Sequence, residues 1–192
     1  MTAPAANPES LRIDQRQIDL QALPGRRFSA NASRHGWLYL DTFYSIGPWE
    51  NHGGLDFSLR HPPEEFVDLD AEYIGKKGQK LTWQFLQSNN LRVIPLNPCA
   101  DGTWYFYTEL EFEQDQEMLI SVGSDDTVRV WVNGLPVWME PNRQSNWSIG
   151  EGARNVCFRR GVNRVLVRLE NGPHCTLFSL LVCPVKAAKP KK

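Results

Sequence analysis

Residues 121–137, Ser-Val-Gly-Ser-Asp-Asp-Thr-Val-Arg-Val-Trp-Val-Asn-Gly-Leu-Pro-Val, decide the fold. Val128, Val130 and Val132 alternate with Arg129 and Trp131, the period-two pattern of a strand with one buried face. Asn133-Gly134 supplies the two positive-φ residues that a tight hairpin demands, and residues 135–138 read as the returning strand. A preceding strand over 118–122 enters through an acidic corner, Ser124-Asp125-Asp126. A strand, a carboxylate-bearing turn and a hairpin therefore follow one another closely.

The pattern repeats outward. Residues 103–113 form the clearest strand. Trp104, Phe106, Thr108, Leu110 and Phe112 fall on one face, and Tyr105, Tyr107, Glu109, Glu111 and Glu113 on the other. Residues 155–158 and 162–170 read as a hairpin-like pair across Arg159-Arg160-Gly161, and 66–74 with 81–86 as another across Gly75–Gly78. Residues 36–44, apolar on both faces, suit a central strand, and 175–183 close the domain as a buried one. Gly47, Pro48, Pro62 and Pro63 make 45–65 a loop. No window of twelve residues keeps a helical period. About ten short strands with turns every eight to twelve residues describe an all-β, two-sheet antiparallel sandwich or jelly roll.

One domain over 36–184 accounts for this. Residues 1–35 are an N-terminal extension, disordered at its start, with an edge strand suggested by Leu11, Ile13, Ile18 and Leu20 and ended by Pro24-Gly25. Residues 185–192 form a basic tail read as a solubilising end. The 192 residues carry a formal net charge of −1, which argues against a nucleic-acid surface. No apolar run reaches the length of a membrane span, so no membrane insertion is expected. The first residues lack the charged start and apolar stretch of a signal peptide, which leaves a cytoplasmic chain or one from which a leader or a larger parent chain has been trimmed.

The four cysteines, Cys99, Cys157, Cys175 and Cys183, show no CxxC spacing, and the last three sit in apolar patterns as small buried hydrophobes. No disulfide pairing follows from the sequence. His35, His52, His61 and His174 are scattered and receive no role. Glu109, Glu111 and Glu113 read as a solvated strand face rather than a glycosidase pair, which needs two carboxyls facing across a cleft. An enzyme is not expected.

The run Gly123-Ser124-Asp125-Asp126-Thr127-Val128-Arg129-Val130-Trp131-Val132-Asn133-Gly134, followed by residues 161–172, Gly-Val-Asn-Arg-Val-Leu-Val-Arg-Leu-Glu-Asn-Gly, resembles two β-sandwich groups. One is the protective-antigen-type module of adhesins, toxins and glycosidases, with its Ser-Asp-Asp turn before a hairpin. The other is the galactose-binding-like jelly roll appended to many secreted bacterial enzymes. The resemblance spans roughly residues 104–182 and implies an extracytoplasmic, non-catalytic carbohydrate-binding accessory module. In sugar-binding members of the first group the paired aspartates hold calcium, which would place a metal at Asp125 and Asp126, with Asn142 and Asn146 as candidates for further oxygens.

Flat rings stack on sugar C–H faces while polar neighbours meet hydroxyls. The expected ligand site is therefore a loop-end corner of Asp125, Asp126, Trp138, Arg143, Asn146 and Trp147. Trp37, Trp83 and Trp104 belong to the core, and Trp49 is a plug over the open end. Trp131 fits either sheet face, and Tyr105 and Tyr107 are expected under the N-terminal segment. The rival reading makes the Asp pair a hydrogen-bonded turn, with the sandwich docking to another protein or a second copy.

Overall fold

The computed structural model describes residues 19–21, 26–28, 36–52, 58–140, 146–150 and 152–185. The chain is all-β. The strands are β1 (Asp19–Gln21), β2 (Arg26–Phe28), β3 (Leu38–Leu40), β4 (Thr42–Glu50), β5 (Glu72–Ile74), β6 (Lys80–Thr82), β7 (Gln84–Gln87), β8 (Gly102–Phe112), β9 (Gln116–Asp125), β10 (Thr127–Val132), β11 (Leu135–Glu140), β12 (Arg154–Phe158), β13 (Gly161–Asn171) and β14 (Leu177–Pro184). Two sheets make the sandwich. The first runs β1-β3-β14-β9-β12. The second runs β11-β10-β13-β8-β4-β7, with β2 on the far end of β8. Pairing is antiparallel except for β1 on β3 and β2 on β8. No helix among the described residues is long and apolar enough to cross a membrane.

The 121–137 stretch behaves as its periodicity dictates. Val128, Val130 and Val132 turn inward and are buried, each burial worth about 1.5–3 kcal/mol. Asn133 (φ 52°) and Gly134 (φ 79°) form the hairpin turn. Trp104, Phe106, Leu110 and Phe112 of β8 join those valines, and face Met118, Ile120 and Val122 of β9 and Phe178, Leu180 and Val182 of β14. The expected core rings Trp37, Trp83 and Trp104 are all buried.

Several expectations give way. The single strand over 36–44 is two: the chain changes sheets at Asp41. That side chain is buried and accepts the Thr42 hydroxyl, while its carbonyl accepts the Ser88 N–H. The loop expected from residue 45 begins only after Glu50. A register shift between Ile46 and Trp49 lets β4 absorb Gly47 and Pro48. Gly47 has φ +141°, and a Cβ there would lie 2.6 Å from the Trp104 ring. Trp49 is thus a buried strand residue rather than a loop-end plug.

The expected 155–170 hairpin does not form. β12 pairs with β9 and β13 with β10 and β8, so Arg159-Arg160 carries the chain between sheets. Alternation assigns faces, not partners. The pair around Gly75–Gly78 does form, as β5 with β6, while Leu86 lies in β7 on β4. Cys157 and Cys175 are exposed rather than buried, and Cys99 and Cys183 are half-buried.

Tyr105 and Tyr107 are buried; most of the N-terminal segment expected over them lies outside the described residues. The excursion between β4 and β7 folds back over the outer face of the second sheet. There Ile46, Trp49, Leu81, Trp83, Tyr105, Tyr107 and Leu166 build a smaller second core. Residues 1–18, 22–25 and 186–192 lie outside the described residues, and with them the disordered start, most of the N-terminal rhythm, the Pro24-Gly25 turn and the basic tail.

Candidate functional site

The acidic corner lies where the chain leaves the end of β9 and enters β10 in the other sheet. The Asp125–Asp126 peptide is cis. Ser124 is buried and donates its hydroxyl to the Asp126 carbonyl at 2.6 Å. The Asp126 carboxylate accepts the Gly172 N–H at 2.7 Å through Oδ2. That contact draws the turn after β13 against the corner. The turn is stitched in from behind, because Asn171 Nδ2 donates to the Cys99 carbonyl at 3.0 Å and Asp101 N–H to the Gly172 carbonyl at 2.9 Å.

A second segment reaches the corner over the outer face of β9. Three outward positions of that strand hold it: Ser121 donates its hydroxyl to the Gly152 carbonyl, Gly123 lies beneath the Ser148 carbonyl, and Asp125 accepts the Trp147 N–H. A Cβ at position 123 would collide with the Ser148 oxygen, so glycine sets the approach. Burial first, and the Asp126 carboxylate second, push the Asp125 carboxyl above its ordinary range. The Trp147 N–H and His174 pull it back.

The structure therefore brings Asp125, Asp126, Asn146 and Trp147 to one rim. Asn146 is exposed; Trp147 is half-buried. The Trp147 ring donates its Nε1–H to Ser179 Oγ at 3.1 Å, and the Arg92 guanidinium lies over it at 4.4 Å. Trp138 is not part of the rim. It faces inward from β11, is 6% exposed and belongs to the main core, with Arg154 5.0 Å from its ring. The register sets Trp138 of β11 opposite Val130 of β10, so both face the same interior, which the loop-side position in sequence concealed. Asn142 and Arg143 lie outside the described residues.

The corner's donors are hard oxygens, the chemistry that suits calcium. The ion takes six to eight of them, whereas this corner offers two carboxylates, each already accepting a main-chain N–H. Among the described residues no group of three His, Cys, Asp or Glu stands close enough to hold a metal ion. Two carboxylates alone do not make a closed calcium site.

No protein-family model matches the chain, and no curated protein does. Among solved structures it is similar to the β-glucosidase from Kluyveromyces marxianus in complex with glucose (TM-score 0.46, 10% identity, 79% of this chain and 17% of that one). It is similar also to the PA14 domain of the MpAFP antifreeze protein (TM-score 0.40, 13% identity, 78% and 68%). A third likeness is to the Ruminococcus gnavus β-glucuronidase (TM-score 0.40, 10% identity, 85% and 31%). The chain spans about a sixth of the length of the β-glucosidase. The function is read from the chain's own residues.

The sequence reading missed one cluster altogether. Arg168, 1% exposed, lies on the outer face of the second sheet between Glu170, also 1% exposed, and Glu64. Its Nη1 also donates to the Leu59 carbonyl at 2.9 Å, and the Tyr105 hydroxyl donates to Glu64 Oε1 at 2.6 Å. Burial, before any other cause, pushes the Glu170 carboxyl up. Two carboxylates do face each other here, but a buried guanidinium bridges them. The arrangement straps the 58–66 segment to the sheet; it is not an open acid/base pair. In sequence, Arg168 and Glu170 fall on the face of β13 that also carries the exposed Arg164, which hid them.

Proposed function

We propose that the chain is a non-catalytic carbohydrate-binding accessory module that recognises a glycan at the rim formed by Asp125, Asp126, Asn146 and Trp147. One observation carries this reading. The Gly123 crossing lays residues 146–150 across β9 and sets the Trp147 N–H on the Asp125 carboxylate, so an indole, an amide side chain and two carboxylates share one edge. Sugar hydroxyls need acceptors and donors of this kind, and the ring supplies an apolar face. Arg92 covers the Trp147 ring, and its exposed side chain has to swing aside for a pyranose to stack there.

Calcium belongs to the proposal as an assisting ion. Asp125 and Asp126 would hold it, sugar hydroxyls and water would complete its shell, and it would supply charge compensation for two neighbouring carboxylates. The family resemblance also places such modules outside the cytoplasm. A glycan array probed with and without calcium tests the reading. Selective binding that weakens in Asp125→Asn/Asp126→Asn supports it, and the absence of binding to every glycan at millimolar concentration overturns it.

A protein-interaction role is the second reading, favoured by the main-chain N–H groups that both corner carboxylates accept. Under it the rim is a structural turn. Light scattering then shows mass rising with concentration, or with a partner, and the array stays blank.

A further inference from the structure

We infer that the outer face of the second sheet holds a separate groove for a carboxylate-bearing oligosaccharide, centred on Trp131. The excursion that covers this face stops short of β10 and the first half of β13. Its margin, Pro63–Leu69, leaves two adjoining hollows of about 700 and 730 Å³. Trp131, Glu64 and Gly134 border both, so the hollows meet at the Trp131 ring. That ring is half-buried, with the Arg129 guanidinium 5.5 Å from its centre.

Charge selects the ligand. Six arginines line the two hollows: Arg60, Arg129, Arg154, Arg159, Arg160 and Arg164. Three glutamates oppose them, Glu64, Glu65 and Glu109. Two of the three are already engaged: Glu64 pairs with Arg168, which lines neither hollow, and Glu109 accepts the Tyr107 hydroxyl. Among the described residues Arg159, Arg160 and Arg164 have no carboxylate partner within ion-pair distance. A chain with a net charge of −1 has thus gathered positive charge around the Trp131 ring.

The sheet excludes the simplest alternative. β10 is flanked by β11 and β13, and β13 by β10 and β8, so their main-chain groups are spent in the ladders. An extended peptide laid over β10 and β13 finds no unpaired main chain there. Nucleic acid is served by a run of stacking platforms along a track, whereas the groove offers two rings, the half-buried Trp131 and the exposed Phe66. A uronic-acid residue fits better. Its ring face can lie on Trp131, and its carboxylate is the shape a guanidinium fork pairs in bidentate fashion.

This groove is independent of the rim. Trp131 lies five residues along β10 from Asp126, about 17 Å at the rise of an extended strand. Calorimetric titration of the intact chain with tetragalacturonate, at low and high salt, tests the inference. Binding is expected to weaken with salt, and to fall about tenfold in Trp131→Ala and in Arg159→Gln/Arg160→Gln, whose exposed side chains leave the fold intact. Asp125→Asn/Asp126→Asn is expected to leave it unchanged. Equal binding of neutral galactotetraose, equal or tighter binding of octaglutamate or a short oligothymidylate, loss of binding through the rim variants instead, or no binding at millimolar ligand each overturns it.

Discussion

Asn133 Nδ2 donates to Asn163 Oδ1 at 2.8 Å, joining the β10–β11 turn to the start of β13. Asn163 is fully buried. Its Oδ1 also accepts the Arg159 N–H at 2.9 Å, and its Nδ2 donates to the Arg159 carbonyl at 2.7 Å and the Gly161 carbonyl at 3.1 Å. Asn133 in turn accepts the Arg164 N–H at 2.9 Å. The Asn-Gly and Gly-x-Asn-Arg motifs, thirty residues apart, are two halves of one clasp. Asn163→Ala leaves several buried donors and acceptors unpaired and is expected to cost about 2–3 kcal/mol, read as a lower urea midpoint with an unchanged slope.

The Arg168 strap makes a different prediction. Arg168→Ala leaves two buried carboxylates without their cation and is expected to cost about 3–5 kcal/mol by urea unfolding. Replacing Arg168 with Met and Glu64 and Glu170 with Gln together is expected to recover much of that loss. If the triple variant is no more stable than the single one, the cost comes from lost packing rather than stranded charge.

His61 makes acid stability a local matter. It stacks on Trp49 with ring centres 5.1 Å apart, and burial, aided by the Arg168 charge, lowers its pKa from 6.5 to about 4. Between those values the unfolded chain binds the proton and the folded chain does not. Stability therefore falls as pH drops from 6.5 and levels off below 4, by an amount on the order of 3 kcal/mol. His61→Phe is expected to flatten that limb in melts run at several pH values. A limb as steep as in the unsubstituted protein would place the acid sensitivity elsewhere.

Gly123→Ala tests how the rim is assembled. The added methyl has to push Ser148 off β9, at about 1–3 kcal/mol, and with it the Trp147 N–H leaves Asp125. Lost glycan binding with the sandwich still folded by circular dichroism is the expected outcome. Undiminished binding would separate the site from the 146–150 segment.

The inward faces of β8, β10 and β13 were legible because each alternates cleanly, and Asn133-Gly134 announced its turn. Partners were not. β12 and β13 read as a hairpin and lie in opposite sheets, because nothing in a period of two says which sheet a strand joins. The second core was hidden too, since Tyr105 and Tyr107 share a face with three glutamates and are covered by an excursion distant in sequence. At the rim, the acidic corner could be read from the Ser-Asp-Asp turn. The inward turn of Trp138 and the Gly123 crossing depend on contacts over long sequence separations. Arg168 and Glu170 looked like solvent-facing residues for the same reason.

The most direct test is two-dimensional amide NMR of the chain titrated with array-selected glycan and calcium. The Trp147 and Gly172 N–H groups, which donate to Asp125 and Asp126, are the reporters. Saturable shifts at these two amides, lost in Asp125→Asn/Asp126→Asn, are the predicted result. Both amides standing still while a glycan demonstrably binds would contradict the rim as the site of recognition.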